Sequence, residues 1–407
     1  MDNCVIPQGY KATALGIIPQ EWEVMRLGDI VSITSGESPS LYHLKAEGKY
    51  PYVKVEDLNN CEKYQESSRE YSDDNNTTIK AGSIIFPKRG ASILNNKVRI
   101  AAKDIQMDSN MMAITPHTAI VDTEFLYIRI LHERLYRIAD TSSIPQINNK
   151  HIIPYKIAVP PLAEQRKIAE VLGVWDEAIE KQARLIEKLA LRKRGLMQRL
   201  LSAKLRLPDF SEPWQKVNYS DILKEVRRAL TWDENEIYDL ISVRRRSGGV
   251  FHRESLYGHE IKTKTLRPAL EGDFLISKMQ IVHGASGVVP KQLSGMKISG
   301  SYIALIAKNP KELNINYFNL WSQMPLFYHQ TFVSSYGVHI EKMTFDLDAF
   351  MSLSMNLPPI NEQNRIVEVI STATNEIELA KEKLECLRRQ KRGLMQQLLI
   401  GEKRLNY

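Results

Sequence analysis

The sequence predicts an α+β protein in which two globular modules are separated by two long helices that form an intramolecular antiparallel coiled coil, with a pseudo-two-fold internal repeat. Three observations predict it. A segment recurs at a constant offset, the recurring segment carries a heptad of apolar residues, and the stretches between the copies mix strand-like with helix-like runs.

The repeat opens at Pro160-Pro161-Leu162-Ala163-Glu164-Gln165-Arg166-Lys167-Ile168, which returns as Pro358-Pro359-Ile360-Asn361-Glu362-Gln363-Asn364-Arg365-Ile366, 198 residues on. It closes with Lys193-Arg194-Gly195-Leu196-Met197-Gln198, which returns unchanged as Lys391-Arg392-Gly393-Leu394-Met395-Gln396 at the same offset. No gap intervenes. A weaker echo opens each half, Trp22 through Leu27-Gly28-Asp29-Ile30 against Trp214 through Tyr219-Ser220-Asp221-Ile222. Inside the modules, Ala81-Gly82-Ser83-Ile84-Ile85-Phe86-Pro87-Lys88 lies on Glu271-Gly272-Asp273-Phe274-Leu275-Ile276-Ser277-Lys278, each a turn feeding an apolar strand. The expected plan is an N-terminal segment (1–20), a first module (21–158), a helical segment (159–206), a second module (207–356) and a second helical segment (357–407). Like connectors carry unlike modules.

In the first helical segment the apolar positions step by four and three: Ile168, Leu172, Trp175, Ile179, Ile186, Leu189, Leu196 and Leu200, with Gln182 and Lys193 as polar interruptions. The second keeps that register through Ile366, Ile370, Ala373, Ile377, Ala380, Leu384, Leu387, Leu394 and Leu398, and Lys391 matches Lys193. The Pro-Pro pairs set each helix start, and Glu164 and Glu362 favour the positive end of the helix dipole. A helix from Glu164 to Leu200 would run about 55 Å. Its stripe needs a partner, either the other copy in the same chain or a second chain. The basic runs Arg192-Lys193-Arg194 and Arg388-Arg389-Gln390-Lys391-Arg392 read as a solvated face or partner surface rather than as phosphate ligands. Gly195 and Gly393, mid-helix, suggest close packing or a bend.

Strand-like runs at 100–105 and 302–307, and helix-like runs at 125–138 and 317–328, make the modules α+β. Of 407 residues, 43% are hydrophobic and 25% charged, which excludes a disordered or collagen-like chain. Absent a membrane-length apolar run or a signal-like start, the expected place is the cytoplasm. Cys4, Cys61 and Cys386 are too scattered for a disulfide framework or zinc site. The net charge of +7 suits a polyanion ligand. There is no phosphate-binding loop motif, no N-P-P-Y-like tetrad and no H-x-x-x-H spacing, so neither catalysis nor a metal is expected.

Basic and amide residues beside glycines supply candidates for DNA contact, because arginine pairs bidentately with guanine, glutamine or asparagine with adenine, and glycine admits close approach. In the first module these are Lys88, Arg89, Asn95, Asn96 and Lys97. In the second they are Arg244, Arg245, Arg246, Arg253, Lys262, Lys264 and Arg267, with Lys278, Gln280 and His283 on a following loop.

The P-P-L-x-E-Q helix openings, the K-R-G-L-M-Q-x-L-L ends and the W-x-V-x-x-L-G-D-I start at Trp22 make the whole chain resemble the specificity subunits of type I restriction-modification systems. The second start, at Trp214, lacks the leucine and glycine of that pattern. The resemblance implies a non-catalytic subunit: two target-recognition domains each read half of a bipartite double-stranded DNA site, and the helices space them and bind two methyltransferase subunits, which restriction subunits join. It also implies that S-adenosylmethionine, ATP and magnesium serve the partners and that no cofactor sits in this chain. Two other readings stand beside it, a fused enzyme and a coiled-coil scaffold binding DNA without sequence preference.

Overall fold

A computed structural model describes residues 6–140 and 144–405, so Cys4 lies outside the described residues. The chain divides into two compact units, Met1–Ala183 with Lys383–Tyr407, and Arg184–Glu382. The first unit thus combines both chain ends, while the second is continuous.

Two 40-residue helices, Leu162–Leu201 and Ile360–Leu399, dominate the secondary structure. Each starts directly after its Pro-Pro pair, whose second proline accepts the backbone N–H of Gln165 or Gln363. Within each unit one half of the first helix packs on one half of the second. In the first unit Glu164 pairs with Arg404 and Asp176 with Lys391; in the second Arg192 pairs with Glu376 and Arg206 with Glu362. Advancing along the first helix means retreating along the second, so the pair is antiparallel and made within one chain.

Every heptad position predicted from sequence is buried or half-buried. Ile168, Leu172 and Leu398 join the core of the first unit, Leu200, Ile366 and Ile370 that of the second, and Ile186, Leu189, Ile377 and Ala380 pack together on the helices themselves. Removing such side chains from water stabilises by about 1.5–3 kcal/mol each. Gln182, an interruption of the stripe, is itself buried. The two glycines differ from expectation: a Cβ on Gly195 or Gly393 would meet nothing within 4 Å, so close packing does not require them.

Both units build the same small antiparallel sheet. In the first, Val31–Ser35, Met111–Pro116, Ile84–Pro87 and Arg99–Ala101 lie in that order, with Tyr64–Gln65 added at the edge. In the second, Leu223–Glu225, Tyr302–Ala307, Phe274–Ser277 and Ser286–Val288 repeat the order. A second ribbon, Glu23–Arg26 with Lys156–Val159, recurs as Gln215–Asn218 with Ser354–Leu357 and leads the chain into each long helix. Beyond this frame the units diverge. The second carries a long hairpin, Ile237–Val243 with Val250–Tyr257, where the first has the short strands Gln106–Met107, Tyr50–Val53 and Tyr71–Ser72.

Three expected elements are shorter than their patterns suggest. The run at 100–105 is strand only over Arg99–Ala101, after which Ile105 makes one isolated bridge to Ile79. The run at 125–138 divides into Thr123–Glu133 and Leu135–Ile138 at Arg134, whose φ of 63° no helix continues through. The run at 317–328 divides into Ile315–Trp321 and Pro325–Val333, because Pro325 has no N–H to give and starts a new helix.

Candidate nucleic-acid interface and the nodes that carry it

Each module is fastened to the start of its long helix by a buried node. Glu164, 1% exposed, accepts the indole N–H of Trp22 at 2.9 Å and a two-pronged pair from Arg404, Nε at 2.7 Å and Nη2 at 3.0 Å. Glu362, also 1% exposed, accepts from Trp214 at 3.0 Å and from Arg206 at 2.7 and 2.9 Å. The neighbouring glutamines repeat as closely. Gln165 donates to Pro160 O and Ile120 O and accepts from Asp122 N–H; Gln363 donates to Pro358 O and Glu312 O and accepts from Asn314 N–H. The carboxylate beside it holds the Arg404 guanidinium above its ordinary value. Sequence reading assigned Glu164 and Glu362 only to the helix dipole. The signal for the rest was Arg206-Leu207 and Arg404-Leu405, which continue the 198-residue offset past the helix ends.

The second module gathers several of its candidate residues. The turn Arg244 to Gly249 closes the long hairpin with Arg246, Ser247 and Gly249 at positive φ. It docks on the loop after Phe274–Ser277, with Arg246 N–H donating to His283 O at 2.7 Å and Ser247 N–H to Gly284 O at 2.8 Å. Gly284 is obligatory there: at φ 73° its Cβ would stand 2.1 Å from the Tyr328 hydroxyl. Arg245 Nε donates to Gln280 Oε1 at 2.6 Å and Nη2 to Glu341 at 3.1 Å, and His283 Nε2 lies 3.3 Å from the same carboxylate. Glu341, which sequence reading missed, pairs with the arginine. Arg244 lies over the Phe251 ring at 4.2 Å.

A neighbouring cavity of about 590 Å³ is walled by Leu240, Leu256 and Met279 and by the cationic Arg253, Lys262 and Lys278. Two predicted contacts are otherwise employed. Lys264 pairs with Glu234 and sits over Trp232, and Arg267 donates to Tyr302 O at 2.7 Å inside the fold.

In the first module Lys88 takes the place that Lys278 takes in the second, immediately after the matching strand. Burial and the charge of Arg89 push its amine below the usual lysine value. Arg89 and Asn95 are exposed. Asn96 is engaged within the fold: at φ 49° its amide donates to Leu131 O at 2.9 Å and accepts from Leu135 N–H at 2.9 Å, bracing the helix break at Arg134. Lys97 is tied to Asn59.

Among the described residues no group of three or more His, Cys, Asp or Glu could hold a metal ion, and no helix is long and apolar enough to cross a membrane. Cys61 and Cys386 are free thiols.

Fold and node together define a protein with two unlike modules on one repeated helical frame. The family model for the type I restriction modification DNA specificity domain matches residues 19–190 and 211–389, and the chain belongs to that family. The type I restriction enzyme MjaVIII specificity subunit of Methanocaldococcus jannaschii is 23% identical over 425 residues, covering 96% of this chain and 95% of its own. The MjaIX specificity subunit of the same organism is 32% identical over 197 residues, 45% of either chain. The fold is shared with the type I restriction-modification system S subunit from M. genitalium (TM-score 0.53, 14% identity, 93% and 96% of the two chains). It is shared more closely with a chain from a structure of complex assembly and conformational transition of the type I R-M system (TM-score 0.64, 17% identity, 95% and 99%).

Proposed function

We propose that this specificity subunit reads a bipartite double-stranded DNA site, one half with each module, and that its helices hold two methyltransferase subunits to which restriction subunits attach. One observation carries the reading: the frame around Glu164 is rebuilt around Glu362 almost atom for atom, while the loops it presents differ. A frame built twice with unlike loops suits two unlike half-sites.

The chemistry belongs to the partners. Methyl transfer to adenine from S-adenosylmethionine, and ATP- and magnesium-dependent cleavage, would occur in those subunits in the cytoplasm, with the target base flipped into the methyltransferase pocket. In the second module Arg245 and Gln280 are the best placed for base edges, and Arg253, Lys262 and Lys278 for phosphates. In the first module Lys88, Arg89 and Asn95 take these roles.

Genome-wide mapping of methylated adenines with the chain present or deleted tests the reading. The expected result is a two-part motif with a fixed gap that vanishes on deletion; methylation that persists unchanged, or methyl transfer by the chain alone, would overturn it. Each 40-residue helix is about 60 Å long. Inserting one heptad in both is expected to change the gap between the half-sites.

A further inference from the structure

Beside the Arg245 cluster the second unit carries a hairpin that the reading above does not use. Its strands Ser335–Tyr336 and Thr344–Phe345 pair antiparallel, and its base is anchored: Met343 and Phe345 are buried, Phe345 N–H donates to Lys278 O at 3.0 Å, and Asp346 N–H donates to Ser334 O at 2.8 Å. The tip is built in the opposite way. Tyr336 is 64% exposed, Val338 95% and Ile340 50%. Gly337 makes the turn possible, since at φ 150° a Cβ there would stand 3.0 Å from Met343 Cα.

An anchored base with apolar residues held out in water has no explanation in the core it leaves. Its surroundings say what would cover it. His339 and Lys342 are exposed on the same tip, and Glu341 ties it to Arg245 and His283 of the neighbouring loops. An apolar point flanked by Lys342 and by the Arg245 that Glu341 holds fits a polyanion that also offers methyl groups. The major groove of DNA is wide enough for a two-stranded ribbon and displays the thymine C5-methyl group.

We propose that Val338 and Ile340 form an apolar probe that the second module lays against thymine methyl groups in the major groove of its half-site. This rests on the function proposed above. Glu341 then releases Arg245 to the DNA as the tip enters, so that the probe and the arginine act at neighbouring base pairs.

The test uses the assembled complex and duplexes carrying the mapped site, in which each thymine of one half is replaced in turn by deoxyuridine, removing only the methyl group. The wild-type complex is expected to lose about fourfold in affinity at one or two such positions, all in a single half-site. With Val338→Ala/Ile340→Ala the thymine and uracil duplexes should bind equally, while affinity for random DNA stays unchanged; Val338→Leu should keep the discrimination. A wild-type complex indifferent to uracil, or a double variant that still discriminates, overturns the probe. So does a double variant that loses its partner subunits yet discriminates, which would make the tip a protein contact. A thermal melt equal to wild type separates these outcomes from misfolding. Absence of any two-part motif would instead sink the proposed function itself.

Discussion

The node around Glu164 and the node around Glu362 match residue for residue, whereas the loops after Ile84–Pro87 and Phe274–Ser277 share little beyond the lysine that starts them. The difference shows where each kind of constraint acts. A buried carboxylate must find its full set of donors, since one left unpaired costs several kcal/mol, so the node tolerates little change. An exposed loop pays almost nothing for a new side chain and is free to follow a new ligand.

Substitutions at the nodes should separate the two units most sharply. Glu164→Ala strands Trp22 and Arg404 and is expected to destabilise the first unit by about 3 kcal/mol, reduced from the fully buried case because Arg404 is partly exposed. Glu362→Ala should do the same to the second. Amide hydrogen exchange resolved by segment would read this, and equal loss of protection in both units from either change would break the comparison. On the loop side, Arg245→Ala should leave stability within about 0.5 kcal/mol and relax discrimination by about 1–3 kcal/mol at one base pair of one half-site, measured by binding to single-substituted duplexes. Asn96→Ala should behave as a frame substitution despite its place in a loop. It removes two hydrogen bonds, so a loss of about 1–2 kcal/mol in denaturant unfolding is expected, with the methylation motif unchanged.

The smallest effect tests an asymmetry along the helices. Lys391 pairs with Asp176, while at the position facing the equivalent Lys193 Thr374 stands where the first helix has Asp176. Burial pushes the Lys193 amine below its ordinary value, with Glu378 pulling the other way and Lys381 adding to the depression. The unfolded chain therefore binds the proton more tightly, and this site costs stability that is recovered as pH rises from the lowered value toward the ordinary lysine value of 10.5. Lys193→Met should raise stability slightly, by no more than about 0.5 kcal/mol at neutral pH since the amine is partly solvated, and flatten that rise, whereas Lys391→Met, which strands Asp176, should not.

Much of the frame was legible because its signals are local or periodic. The heptad stripe, the Pro-Pro starts and the constant offset need only neighbours a few residues away, or a second copy, to be recognised. The helix break at Pro325 was also written in the chain, although the apolar pattern around it suggested continuity. The break at Arg134 was not: it is held by Asn96 through the N–H of Leu135, 39 residues further on. Among the candidate contacts, Arg245, Gln280 and His283 do converge, yet nothing in their spacing announced Glu341, which lies 96 residues from Arg245.

By itself the sequence determined that two long amphipathic helices exist, where each begins, and which face of each must be covered, since helix period and apolar burial are properties of the local chain. Only the tertiary structure decided what a lone charge does. Glu164 became the anchor of a module because folding brought Arg404 to it from 240 residues away and excluded water from the carboxylate, and Asn96 became a brace because a helix happened to end within reach of its amide.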